Sequence, residues 1–369
     1  DGTCTARITG MTGGGQLSHR NIIINGAMTV AQAGTSGNIG SRLLDRFGVF
    51  GTGHDETPTQ AQVDVASGTT PYTLGFRKSL KITNGNQTSG AGAADRLFTS
   101  YQFEAQDLAN SGWNYTSSSS YITLSYWVKS SVQQNFYVTL KSGDGTPQKY
   151  ATETGSLTAD TWTKVTKTIP GNSNITIDND NGEGLEIEWS LYRGTDQTGS
   201  MSLNAWAANN NSVRTPDQPV AWFQTNGATF EITGVQLEVG PVATPFEHRS
   251  FGDELSRCQR YYFKITADDN DSVFLGYSTN GSNFYGEVPF PTSMRTMPTF
   301  TGSSTDARYF SSNTSNDFTI SNLAIHGAHT SANPHHTSMY VAISSADGGT
   351  AGVCQAQNAV GTFQFSAEL

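Results

Sequence analysis

The nine residues LEIEWSLYR (185–193) alternate almost without interruption: Leu185, Ile187, Trp189 and Leu191 share one parity, Glu186, Glu188 and Ser190 the other. A period of two sends successive side chains to opposite faces. Such a segment is a strand with one face in a core and one in water, as in antiparallel sheets. The pattern recurs. YITLSYWVKS (121–130) puts Ile122, Leu124, Tyr126 and Val128 on one face, and NFYVTLKSGDG alternates Phe136, Val138 and Leu140 before a Gly143-Asp144-Gly145 turn. TWTKVTKTI (161–169) alternates Trp162 with Lys164, then Val165 with Lys167. Short strands joined by turns, with no helices between them, predict an all-β chain whose N-terminal part is a jelly roll or β-sandwich. No fixed repeat is present, which argues against a β-helix solenoid.

One strand changes phase. In TFEITGVQLEVG (229–240), Phe230 and Ile232 hold one parity, and Val235, Leu237 and Val239 the other. A one-residue slip would turn the second set out of the core, so a β-bulge is predicted at Gly234.

GPVATPFEHR (240–249) ends this series with two prolines, and SFGDELSRCQRYY (250–262) then switches to helical spacing. Phe251, Leu255, Cys258 and Tyr262 step by four, three and four, which suits a helix face and also a coiled-coil seam. Asp253 and Glu254 come early and Arg257 and Arg260 late, matching the helix dipole. Strand patterns resume in SVFLGYS, NFYGEVPF, DFTISNLAI, SMYVAISS and GTFQFSAEL. The expected organisation is an extended lead-in from a missing upstream part (1–20), a jelly roll (21–247), a short helical joint (248–260) and a C-terminal β-sandwich tip (261–369).

Composition narrows the function. Only 14% of residues are charged, and the net charge is −10. With 21 Lys and Arg scattered along 369 residues, nucleic acid is a poor partner, because replacing phosphate counterions needs clustered cations. No apolar run is long enough for a membrane-spanning helix. Cys4, Cys258 and Cys354 are far apart and odd in number, which argues against a disulfide framework. Cys258 reads as a small core residue. Low charge, many turn formers and many aromatics fit an extracellular setting.

Several clusters invite chemistry. His326, His329, His335 and His336 in HGAHTSANPHH could hold a transition metal or form a polar surface loop. Asp178, Asp180 and Glu183 in DNDNGEG could hold a structural calcium or form an acidic turn, and Gly182 breaks the EF-hand pattern. No other cofactor is expected. Glu186 and Glu188 share a wet face, but carboxylates two apart on one strand point the same way, which is awkward for opposed roles in glycoside hydrolysis. No nucleophile elbow, zinc-protease helix or phosphate loop is present, and no enzymatic activity is expected. Aromatics near turns are the better binding candidates: Trp113, Tyr115, Trp206, Tyr277, Tyr285, Tyr309 and Phe310.

ITGVQLEVGPVATPFEHRSFGDELSRCQRYY (232–262) resembles a segment recurring in virion proteins of tailed bacteriophages, especially tail fibres of marine phages. NIIINGAMTVAQAGTS (21–36), LLDRFGVF (43–50), YITLSYWVKSS and GATFEITGVQLEVG resemble the carbohydrate-binding-module-like jelly roll of the same proteins, and VPFPTSMRTMPTF (288–300) a segment that follows it. The resemblance implies a virion fibre or adhesin subunit, extracellular in the particle and assembled in the host cytoplasm. It would form a homotrimer, join other virion proteins upstream and attach to host-surface glycan or protein. In that setting Phe251, Leu255, Cys258 and Tyr262 would meet at a threefold axis, or the helix would cap its own chain's sandwich. The alternatives are a head or neck decoration protein, a glycan-degrading tailspike and a cellular surface filament.

Overall fold

The computed structural model describes residues 19–311, 317–325, 336–343, 348–357 and 361–369. The chain is all-β and divides into two compact units, one reaching Phe251 and one spanning Gly252–Glu368. The 1–18 part of the lead-in lies outside the described residues.

In the first unit two sheets stack on one core. The six-stranded sheet is ordered β1 (Ser36–Asn38), β4 (Thr59–Asp64), β5 (Lys78–Thr83), β13 (Thr229–Val239), β7 (Tyr121–Ser130) and β10 (Thr163–Pro170). The seven-stranded sheet is ordered β12 (Trp206–Ala208), β9 (Gln148–Glu153), β8 (Tyr137–Ser142), β11 (Glu183–Arg193), β6 (Arg96–Glu104), β3 (Phe47–Thr52) and β2 (Ser41–Leu44). The alternating parities decide what enters the core: Leu185, Ile187, Trp189 and Leu191 from β11 meet Ile122, Leu124, Tyr126 and Val128 from β7. Trp189 packs edge-on against Tyr126 at 5.7 Å.

The phase change in β13 is a bulge. Its register against β7 shifts between Thr233 and Gln236, with Gly234 in the left-handed region at φ 62°. The extra residue lets Phe230, Ile232, Val235 and Leu237 all be fully buried. A Cβ on Gly234 would stand 2.6 Å from the Phe76 ring.

Both ends of this unit are tied together. The Asn21 N–H donates to Glu247 at 2.8 Å, Arg20 donates to Thr244 Oγ1, and Arg249 donates to the carbonyl of Ile23. Asn21 Oδ1 accepts from the N–H of Leu237. Thr244 in turn donates to Glu238.

The helix Phe251–Gln259 lies in the second unit from Gly252 on. The strands of this unit are β14 (Tyr262–Ala267), β15 (Ser272–Ser278), β16 (Asn283–Pro289), β17 (Thr299–Thr301), β18 (Ala307–Ser311), β19 (Asp317–Ile325), β20 (His336–Ile343), β21 (Thr350–Ala356) and β22 (Gly361–Ser366). Strands β14, β22 and β17 form a small sheet, and β15-β16-β20-β19-β18-β21 close into a barrel. The expected C-terminal sandwich is thus corrected to a closed barrel beside a three-stranded sheet. The ring closes where β21 pairs with both β15 and β18. Gly352, Gly276 and Gly286 stand side by side on β21, β15 and β16. A narrow barrel has room for few large side chains; a Cβ on Gly352 would lie 2.3 Å from Tyr309, and one on Gly286 would lie 2.4 Å from Phe274.

The apolar helix stripe does not hold together as expected. Cys258 is fully buried and Phe251 is 60% exposed. Tyr262 falls on β14, where its hydroxyl donates to Gln364. Cys258 and Tyr262 are thus engaged within the chain, while Phe251 is exposed and Leu255 half-buried.

Candidate functional site

The first unit turns its predicted aromatics inward. Trp113 is 3% exposed and belongs to the core. Tyr115 packs edge-on against it at 6.1 Å and donates its hydroxyl to the carbonyl of Ile177. Trp206 lies against Tyr150 at 5.4 Å and donates to the carbonyl of Pro170. Trp113 has no free ring face and is corrected to a core residue; Tyr115 and Trp206 are half-buried and hydrogen-bonded to the backbone.

In the barrel the parity rule separates the candidates. Tyr309 points inside and is fully buried, packing on Phe284 at 4.6 Å; it is corrected to a core residue. Its neighbour Phe310 must then face outward and is half-buried. Tyr277 and Tyr285 also face outward, directly opposite each other on β15 and β16. Tyr285 in turn opposes Tyr340 on β20. The three form a ladder across three strands, with ring centroids 6.4 Å and 5.6 Å apart. Tyr277 is 58% and Leu275 69% exposed. Leu275, Tyr277 and Tyr285 line a groove of about 640 Å³ with Glu287 and Ser338. Tyr340 donates its hydroxyl to Asn283 at 3.0 Å, and Glu287 stands 3.8 Å from His336. The groove thus offers aromatic faces beside a carboxylate and hydroxyls, a combination that binds molecules with one apolar and one hydroxylated side.

The outer face of the seven-stranded sheet is different: it is charged. Lys141 on β8 bridges Glu186 at 2.7 Å and Glu183 at 3.5 Å. Burial pulls the Lys141 pKa down, but these two carboxylates outweigh it and the net shift is upward. For Glu186, burial raises the pKa against the pull of Lys141. Glu188 is held by the buried guanidinium of Arg193 through two nitrogens, and that guanidinium lies over the Phe98 ring at 4.9 Å. Each of the two carboxylates flagged in the sequence is thus tied to a cation. Lys149 on β9 lies opposite Lys141; desolvation lowers its pKa to about 8.

Among the described residues no group of three or more His, Cys, Asp or Glu side chains could hold a metal ion. Asp178 and Asp180 are exposed, and Asp144 accepts the N–H of Asp178 at 2.8 Å. The Asp144 pKa is raised by burial and by the charges of Asp178, Asp180 and Glu183. His326, His329 and His335 lie outside the described residues.

Of the aromatics named from the sequence, Tyr277 and Tyr285 stand in the ladder and Phe310 does not; Tyr340 and Leu275 were not named, although parity alone puts Tyr340 opposite to Met339 and Val341. Sequence reasoning also missed Lys141, Lys149 and Arg193, whose meeting with the glutamates depends on which strands pair.

No protein-family model matches the chain, and neither does any curated protein. Among solved structures, the enzymatically active domain of tailspike protein 4 of bacteriophage CBA120 is similar over 59% of this chain, at 11% identity and a TM-score of 0.32. This chain spans only 21% of that structure. The N-terminal cellulose-binding domain of Cellulomonas fimi β-1,4-glucanase C is similar over 58% of this chain and 99% of its own, at 11% identity and a TM-score of 0.28. The CBM22-1–GH10 modules of Clostridium thermocellum xylanase 10B match over 56% of this chain and 28% of their own, at 10% identity and 0.26. Likenesses at this level assign neither family nor function.

Proposed function

We propose that this chain is a non-catalytic attachment subunit of a phage fibre that binds surface glycan through the outer face of its second unit. The tyrosine ladder carries this reading. Apolar rings are normally drawn into a core, and Tyr277 is 58% exposed beside two further tyrosines in register. Flat rings flanked by Glu287 suit a sugar, whose C–H face stacks while its hydroxyls find acceptors. The binding is read as non-catalytic because Glu186 and Glu188 are each tied to a cation. The sequence resemblance to marine phage fibres supports the virion setting, in which three copies would multiply weak contacts; the native mass of the purified particle tests that association.

The attachment reading is tested on a glycan array and by adsorption to host cells. Tyr277→Ala combined with Tyr285→Ala should weaken binding at least tenfold, about 1.4 kcal/mol or more. Leu74→Ser, an exposed position of the first unit, should leave it unchanged. A double variant that binds like the parent overturns the proposal.

A further inference from the structure

The outer face of the barrel sorts its side chains into two rows. Tyr277, Tyr285 and Tyr340 form the first, each directly opposite the next across β15, β16 and β20. Glu287 and Ser338 form the second, opposite each other across β16 and β20. Glu287 follows Tyr285 by two residues, so the two side chains leave the same face about 7 Å apart. That spacing puts the carboxylate at the edge of anything stacked on the Tyr285 ring. Glu287 is also the one residue with a formal charge among the described residues that line the groove. Its side chain is 65% exposed, and the basic group beside it is His336 at 3.8 Å, charged only when protonated. Among the described residues no lysine or arginine forms an ion pair with it.

Aromatic faces beside a carboxylate recognise a cation. The negative face of a tyrosine ring attracts an ammonium, and a carboxylate accepts charge-assisted hydrogen bonds from it. The net charge of −10 on the whole chain favours the approach of a positive ligand. We propose that the groove takes a saccharide bearing free amines, an amino sugar in its charged form. The C–H face of one sugar unit stacks on a tyrosine ring, its ammonium reaches Glu287, and the Ser338 hydroxyl is at hand for the sugar hydroxyls. A neutral sugar would use the rings without the charge, and an acidic one would set its own carboxylate against Glu287. This inference rests on the attachment reading and adds to it the charge of the ligand.

The test is isothermal titration of the full chain, in neutral low-salt buffer, with the linear trimer of glucosamine, its N-acetylated form, cellotriose and trilysine. Cellotriose carries a hydroxyl where the glucosamine trimer carries its amine. The glucosamine trimer should bind at least about fivefold more tightly than the two neutral trimers, the scale of an exposed ion pair combined with an exposed cation–π contact. Added salt should shrink that preference, because exposed charges are screened. Glu287→Gln, which keeps the shape and an accepting oxygen, should bring the ratio of glucosamine-trimer to cellotriose affinity below about twofold, and Glu287→Ala should do the same; melting temperatures verify that both variants fold. Tyr277→Ala combined with Tyr285→Ala should weaken all three sugars. Absence of glucosamine-trimer binding, equal affinity for the amino and neutral trimers, or a preference that survives both Glu287 variants overturns the amino-sugar assignment and leaves the attachment reading standing. Trilysine binding as tightly as the glucosamine trimer overturns the saccharide class in favour of a basic peptide. Tyrosine variants that bind all three sugars like the parent overturn the attachment reading and this assignment together.

Discussion

Gly234→Ala tests the bulge in β13 directly. At φ 62° an L side chain costs about 1–2 kcal/mol. The new Cβ would also stand 2.6 Å from Cζ of Phe76. That ring cannot simply swing away, because it is 2% exposed and packs edge-on against Phe246 at 4.9 Å. Overpacking of this kind adds about 1–3 kcal/mol. The expected total is about 2–5 kcal/mol, which for a unit of this size lowers the melting temperature by roughly 5–15 °C. Gly227→Ala is the control: its φ is 71° but nothing lies within 4 Å of the added carbon, so only the backbone cost of about 1–2 kcal/mol applies. Tryptophan fluorescence is a selective assay, since all six tryptophans precede Phe251. Equal melting temperatures for the two variants would refute the Phe76 contact, and a Gly234→Ala protein as stable as the parent would refute the bulge itself.

Three further outcomes follow from the charged and buried groups. Glu188→Ala leaves the Arg193 guanidinium, 1% exposed, without its anion and should cost about 3–5 kcal/mol in urea unfolding; Glu188→Leu with Arg193→Met should cost clearly less. The Lys149 pKa is lowered from 10.5 to about 8, so between those values the unfolded chain binds more protons and stability should rise with pH. Lys149→Met should flatten that rise and add up to about 3 kcal/mol at pH 7, measured by urea unfolding at pH 7, 9 and 10.5. In a Cys4→Ser chain, a thiol reagent should react only on unfolding, because Cys258 and Cys354 are buried and burial pushes the Cys354 thiol up to about 12.

Parity was the most legible property of the chain. It selected the core faces of β7 and β11, and the phase change in β13 located the bulge to the residue. It failed where the answer depended on partners distant in sequence. A sandwich and a barrel need the same alternation; what closes the barrel is the pairing of β21 with both β15 and β18, strands distant in sequence. The aromatic candidates show the same division. Tyr309 and Phe310 are neighbours, so one had to be core, but only the buried flanks Ala307 and Ser311 say which. Trp113 and Tyr115 sit in a Ser-rich loop whose polarity suggested a surface, yet the loop folds both rings onto the core. Lys141 was invisible because its pairing with Glu186 depends on which strands lie side by side.

The bonds joining Asn21, Ile23 and Arg20 to Glu247, Arg249 and Thr244 have a mechanical consequence. They cross-link the points where the polypeptide comes into and goes out of the first unit. A pull applied along the backbone would load these few contacts and those of Asn21 and Ile22 with β13 first, shielding the other twelve strands until the clasp gave way. Severing it at Glu247 and Arg249 should leave the unit folded at rest but make it yield at lower tension, a change that single-molecule stretching would register and calorimetry would barely notice.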